Sequence, residues 1–515
     1  MRRRDLLLGA LSLPLVAALA QRVADRQVFA SDEAEEGEGL AFDSWTVRQM
    51  ARSLAAKPFT RPEPDLPESL ANIDYDQFRG IRFAPERAIW REEGLPFQLQ
   101  FFHRGFYFVD RVEIYRVVDG RAHKFRYSPD LFTFEGLEPP PPSDLGFAGF
   151  RIHGPINTPD YFDEICVFLG ASYFRGVAKN QVYGLSARGL SLKTGNPEGE
   201  EVPVFRAFWI EQPAPDASSI VVHALLDSES AAAGYRFTIR PGETTVFDVE
   251  MSLYPRVDIT EAGIATLTSM FFFDSSDRVG VDDYRPAVHD SDGLLMWNGR
   301  GEQLWRPLAN PTSLQISQFV DANPRGFGLM QRKRDFAIYQ DLEARYERRP
   351  SAWVESIGDW GSGAITLVEI PTNSEIHDNI VAFWRPKEPL RAQGEYPFTY
   401  RLHWSWAVPW ETELARVVQT RVGHAWEEPS IRLFVIDLEG GKLAGLPPDA
   451  PPQMVIWSDG GELRNQVVQP NPETGGWRMH FELVPEDRST VELRAQLKDG
   501  EDNPLSEVWI YRWTS

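Results

Sequence analysis

Ser219-Ile220-Val221-Val222-His223-Ala224-Leu225-Leu226 and, shortly after, Tyr235-Arg236-Phe237-Thr238-Ile239 decide the fold class. Both runs are rich in β-branched and aromatic residues, the second alternates strictly, and the turn signal Pro241-Gly242 follows. That pattern predicts strands, not helices.

Working outward, Gln98-Leu99-Gln100-Phe101-Phe102 and Val112-Glu113-Ile114-Tyr115-Arg116-Val117-Val118 read the same way, with turns at Asp119-Gly120 and Asp277-Arg278. Many strands and few helices over roughly 350 residues imply a large β-sandwich. Two helices are predicted. The first spans Ser44 to Ala56, with Asp43 as cap, Phe42 and Val47 as a hydrophobic staple, and Val47, Met50, Ala51, Leu54 and Ala55 on one face. The second is Asp335 to Arg345. Pro139-Pro140-Pro141-Pro142 marks a stiff surface loop, because successive prolines cannot form a ladder.

Glu411 to Ser430 is polar and interrupted and reads as a linker, with the domain boundary between about Pro409 and Ser430. Beyond it the alternation restarts at Arg432–Ile436, Gln453–Trp457, Trp477–Phe481 and Val491–Ala495, punctuated by Gly440-Gly441, Gly460-Gly461, Gly475-Gly476 and Asp499-Gly500. About 90 residues of short strands with regular turns predict an immunoglobulin-like sandwich. The expected division is residues 1–30, 31–410, 411–430 and 431–515.

With 515 residues the chain is long enough for two or more domains. Its formal charge is −22. Nucleic acid and anionic membrane surfaces reward a basic face and are excluded as expected partners, whereas a neutral sugar meets no such repulsion. Cys166 is the sole cysteine, so no intrachain disulfide can form, and its setting, Ile165-Cys166-Val167-Phe168, predicts a buried thiol. Arg2-Arg3-Arg4 precede a short apolar run ending near Ala20, and Val28-Phe29-Ala30 offers a cleavage site. This reads as an export signal of twin-arginine type, with an arginine-rich Sec signal as the alternative. Losing residues 1–30 removes five arginines and two aspartates and deepens the charge to −25. No later run is apolar enough to span a bilayer. A homodimer is compatible with the sequence.

Chemistry is narrowed by elimination. Gly184-Leu185-Ser186-Ala187-Arg188-Gly189 has the wrong spacing for a nucleophile elbow. Cys166 lacks an electropositive setting. There is no phosphate loop, dinucleotide fingerprint or His-Glu-x-x-His. Nine scattered histidines disfavour zinc, and Asp282, Asp283, Asp290 and Asp292 lack a calcium-loop register. No metal or other cofactor is expected. Carboxylates remain, and between Tyr284 and Asp378 they stand beside histidines at both ends, His289-Asp290 and His377-Asp378, with Arg, Tyr and Trp dense between. That mixture suits a groove that grips a polyhydroxylated ligand, although most of the 75 acidic residues must simply be solvated. Trp297, Trp305, Trp353, Trp360 and Trp384 could stack on sugar rings, but most are expected in the core.

Several long motifs resemble the periplasmic glucan biosynthesis protein G/D family, which acts on osmoregulated periplasmic glucans. They are Ser143-Asp144-Leu145-Gly146-Phe147-Ala148-Gly149-Phe150-Arg151, Phe168-Leu169-Gly170-Ala171-Ser172-Tyr173-Phe174-Arg175, Tyr183-Gly184-Leu185-Ser186-Ala187-Arg188-Gly189-Leu190, His289-Asp290-Ser291-Asp292, Asn323-Pro324-Arg325-Gly326-Phe327-Gly328-Leu329 and Arg349-Pro350-Ser351-Ala352-Trp353-Val354-Glu355. The twin-arginine-like start is more similar to protein D than to protein G. The resemblance implies a galactose-mutarotase-like N-terminal β-sandwich joined to an immunoglobulin-like domain. It also implies activity on β-1,2-linked glucan as an anomer-inverting endoglucanase, with a transglycosylase and a non-catalytic glucan-binding scaffold as alternatives. Carried over, Asp378 matches the general acid and Asp290 the general base, the latter acting through water and a substrate hydroxyl. Tyr346 and Arg349 match positions lining the glucan site. Asp292, Trp353 and Glu375 are added as substrate-binding candidates, the last two from their place between the motifs.

Overall fold

The computed structural model describes residues 39–515 except Pro64 and Glu427; the predicted signal segment lies outside the described residues. The architecture is all-β. A fifteen-stranded sheet and a nine-stranded sheet face one another, a four-stranded sheet covers the C-terminal part, and two short two-stranded pairs complete it.

The two runs that decided the fold class become Ile220–Asp227 and Ala231–Arg240, antiparallel neighbours in the large sheet. Tyr235, Phe237 and Ile239 turn inward, and Arg236, Thr238 and Arg240 turn out. The outer face is laced by cross-strand pairs, Arg236 with Glu250 and both Arg240 and Arg401 with Asp248. Opposite charges facing across strands support the register. On the inner face, Phe168, Phe174, Phe205, Phe208 and Phe237 meet in edge-on and stacked contacts between the two large sheets. Cys166 lies in this core, fully buried.

The first predicted helix is present as Thr46–Ala55, burying Val47, Ala51, Leu54 and Ala55. Asp43 accepts from the Trp45 N–H and the Thr46 hydroxyl just ahead of the first turn. The helix lies so close to the sheet that a Cβ on Gly234 would meet the Arg48 backbone at 3.1 Å. The second predicted helix is reduced to Phe336–Tyr339. Gln340 is left-handed, and the Asp341 carboxylate takes the N–H groups of Glu343 and Ala344, a local competition that ends the helix.

Within the stretch read as a linker, Arg416–His424 forms a strand paired with Arg432–Glu439. Its buried positions are Val417 and Thr420, too few to stand out from its polar neighbours. The other C-terminal runs are strands as predicted, Gln453–Ser458, Gly476–Val484 and Thr490–Lys498. They surround a second core built on Phe434, Phe481, Trp509 and Tyr511. The last strand, Val508–Thr514, runs parallel to Gln303–Pro307 and so continues the large sheet. No helix among the described residues is long and apolar enough to cross a membrane.

Candidate active site

The segment Ser269–Phe271, where the strand Ala262–Ser269 gives way to the next short strand, anchors both carboxylates. Asp290 sits in the loop after Val288–His289; its N–H donates to the Met270 carbonyl, and Ser291 shares a hydrogen bond with Ser269 at 2.8 Å. Asp378 stands just before the strand Ile380–Pro386. Its neighbour Asn379 is buried and pairs with Phe271 like a strand residue, accepting from the Phe271 N–H at 2.9 Å and donating to the Phe271 carbonyl at 3.0 Å. Two aspartates distant in sequence are thereby held by three consecutive residues.

Their surroundings differ. Asp290 is 4 % exposed and ion-paired with Arg349, whose guanidinium also lies 4.5 Å from the centre of the Tyr346 ring. Asp378 has its surface open to solvent, yet it is crowded by protein on its other sides. That crowding displaces water and pushes its carboxyl up. The Asp290 charge pushes the same way, while Arg175, Arg188 and Arg349 pull it down by less. The apolar flank expected from sequence contributes on one side alone, since Ile380–Phe383 is buried but Ile376 is 80 % exposed.

The floor near Asp378 is a polar patch on the nine-stranded sheet. Arg175 donates to Ser186 at 2.7 Å, and Arg188 donates to Thr268 at 2.9 Å and to Glu200 at 2.7 Å. The Arg188 guanidinium lies 4.8 Å from the centre of the Tyr173 ring. Burial, first, and then the charges of Glu200 and Asp378 push the Tyr173 phenol up against the pull of Arg188. The wall is the turn Tyr346–Arg348, entered through the left-handed Arg345. Tyr346 is 2 % exposed, and burial pushes its phenol up. A Cβ on Gly184 would lie 2.8 Å from the Arg349 Cβ, so this glycine lets the opposing loop close on the arginine. Arg285 ties three loops together, donating to Asp283, to Asp341 at 2.9 Å and to Glu375 at 2.6 Å.

Of the residues expected from sequence, the structure brings together Asp378, Asp290, Tyr346 and Arg349, and it places Glu375 beside Tyr346 on the Arg285 clamp. Asp292 and Trp353 are not in this cluster. Asp292 turns away, accepts from the Arg332 N–H at 3.1 Å and faces Val418–Thr420 across a small cavity. Trp353 is 1 % exposed and packs on Trp410 at 4.5 Å in the second core. Its place is fixed by close packing, because Cβ atoms on Gly326 and Gly328 would meet it at 2.5 and 3.0 Å. Trp305, Trp360 and Trp384 are buried as well. His289 is fully buried, with its ring stacked on Phe271, and His377 is exposed. Sequence reasoning did not assign Tyr173, Arg175, Arg188, Arg285 or Asn379. All lie inside or directly beside stretches that had been singled out.

Acidic groups of unlike environment facing a polar, arginine-lined cleft on an all-β scaffold define a site suited to proton transfer on an uncharged, hydroxyl-rich ligand. Comparison with known proteins gives the family. The family described as periplasmic glucan biosynthesis protein, MdoG, matches residues 42–513. The chain is 58% identical over 515 residues, the full length of both chains, to the glucans biosynthesis protein G of Bradyrhizobium diazoefficiens. It is 53% identical over 479 residues to that of Vibrio cholerae, covering 92% of this chain and 87% of the relative. The chain belongs to the periplasmic glucan biosynthesis protein family, and its compartment is the periplasm. These relatives carry the name of protein G, whereas the sequence reading expected a likeness to protein D.

Proposed function

We propose that this protein cleaves β-1,2-linked glucan by inverting hydrolysis, with Asp378 as general acid and Asp290 as general base. The observation that carries the reading is the pair itself: both carboxylates are tied to Ser269–Phe271, and their environments differ. Asp378 is pushed toward its protonated form, as a proton donor to a leaving oxygen requires. Asp290 is held by Arg349, as a carboxylate that receives a proton through water requires. Inversion calls for one acid and one base on opposite sides of the scissile bond, with water admitted between them. The names of the relatives, glucans biosynthesis protein G, support a glucan substrate.

In the same reading, residues 31–410 form the glucan-acting unit and 431–515 an immunoglobulin-like unit, to which the strand Arg416–His424 of the connecting stretch 411–430 pairs, and residues 1–30 direct export by the twin-arginine route. The test is incubation with linear β-1,2-glucan followed by mass analysis and NMR of fresh reducing ends. Hydrolysis adds one water per cleavage and gives α-configured ends. Cyclic or elongated products would indicate transglycosylation instead, and unchanged glucan would leave a binding role.

A further inference from the structure

Behind the cleft wall runs Gln331-Arg332-Lys333-Arg334, directly after the strand Gly326–Met330. Its residues face different parts of the molecule. Arg332 grips Glu507 with two hydrogen bonds, of 2.8 and 2.7 Å, and Lys333 pairs with the buried Asp274. Gln331 and Arg334 instead reach the two loops that carry the cleft residues.

Gln331 is fully buried. Its amide N–H groups donate to the carbonyl of His289, the residue before Asp290, at 2.8 Å and to the carbonyl of Tyr346 at 3.1 Å. Its amide oxygen lies 2.9 Å from His289 Nδ1 and accepts the proton there. One side chain thus joins the Asp290 loop to the turn that presents Tyr346 and Arg349. Arg334 grips the same turn from behind. It donates to the carbonyls of Glu347 and Arg349, to the Ser351 hydroxyl and to the Trp406 carbonyl. A guanidinium spread over backbone oxygens acts as a rigid bracket, because its donors form a fixed planar fork.

We propose that Gln331 and Arg334 are positioning residues that hold Arg349 against Asp290 by bracing the Tyr346–Arg349 turn to the Asp290 loop. Gln331 is fully buried and the Arg334 guanidinium is engaged by backbone carbonyls, so both act through the residues they hold. For the catalytic consequence the inference rests on the hydrolytic reading above; for the bracing it does not. A displacement of about 1 Å at a reacting group can cost on the order of 10²-fold in rate, which sets the expected scale.

The test uses Gln331→Glu, which keeps an acceptor for His289 but loses both amide donors, and Arg334→Lys, which keeps the charge but loses the fork. Hydrogen exchange is followed in the Tyr346–Arg349 turn and, as a control, in Ala231–Arg240. Turnover of linear β-1,2-glucan is measured in parallel. The expected result is faster exchange confined to the turn, kcat lowered about 10- to 100-fold and KM changed much less. Arg349→Lys combined with Gln331→Glu should be little worse than Arg349→Lys alone, because both act on one contact. If the folded variants exchange and turn over like the parent, or if kcat falls while exchange in the turn stays at the parent rate, the proposal is overturned. Should Gln331→Glu fail to fold, Arg334→Lys decides it by the same readouts. If the parent does not hydrolyse the glucan, the functional reading fails, and exchange in the turn still decides the brace.

Discussion

Arg349→Met removes the cation from a largely buried carboxylate. The Asp290 side chain is 6 % exposed and that of Arg349 is 21 % exposed. Breaking a buried pair by deleting one partner costs about 3–5 kcal/mol, because the remaining charge is left uncompensated. The partial exposure of Arg349 puts the expectation near the lower end, about 3 kcal/mol. Removing both partners is different: Arg349→Met with Asp290→Asn leaves no stranded charge and should recover about 1–3 kcal/mol relative to the single variant. Urea unfolding of the parent, both single variants and the double variant closes the cycle, read as midpoints at unchanged slope. If Arg349→Met unfolds at the parent midpoint, or the double variant is less stable than either single one, the pair does not hold the cleft as described.

Acidification should weaken the fold through His103. This histidine is 3 % exposed, donates from Nδ1 to the Arg104 carbonyl and accepts at Nε2 from the Tyr127 hydroxyl, so it is held neutral; burial pushes it down to about 4. The unfolded chain takes up this proton near pH 6.5 and the folded chain does not until about 4. The stability present above pH 6.5 is therefore lost progressively as the pH falls toward 4, by about 3 kcal/mol at most. Unfolding midpoints of the parent and His103→Gln across that window check it; parallel pH dependence in the two would count against it. Gly184→Ala places a Cβ against Arg349 and should lower glucan turnover by about tenfold at a stability cost of about 1–3 kcal/mol, measured as kcat and urea midpoint. Unchanged kcat would mean that Arg349 yields without consequence.

The β architecture was legible because strands such as Ala231–Arg240 and Thr490–Lys498 carry their alternation in plain sight. The strand Arg416–His424 was not, since its few buried positions are set by pairing with Arg432–Glu439 and not by a run of apolar residues. Asp335 to Arg345 had helical composition, but composition does not show that Asp341 will bind the backbone locally. In the candidate site, Asp290 and Asp378 were singled out by the family resemblance. Their common anchor on Ser269–Phe271 was not, because register across strands leaves no local mark. Arg175 and Arg188 reach the cleft for the same reason: the strand pairing of Arg188 with Tyr173 and with Thr266 sets them on one sheet face. Trp353 offers the opposite lesson. Gly328 lies opposite it in the neighbouring strand and Gly326 two residues away, and two alternating glycines beside a tryptophan mark a packing site.

The most direct test of the central claim is the rate of linear β-1,2-glucan cleavage by Asp378→Asn, measured together with the affinity of the same variant for the glucan. Loss of the general acid should lower kcat by about 10²–10⁴-fold while leaving the dissociation constant within a few-fold of the parent. Cleavage at the parent rate would contradict the assignment and turn attention to Glu375, the next carboxylate in the cleft.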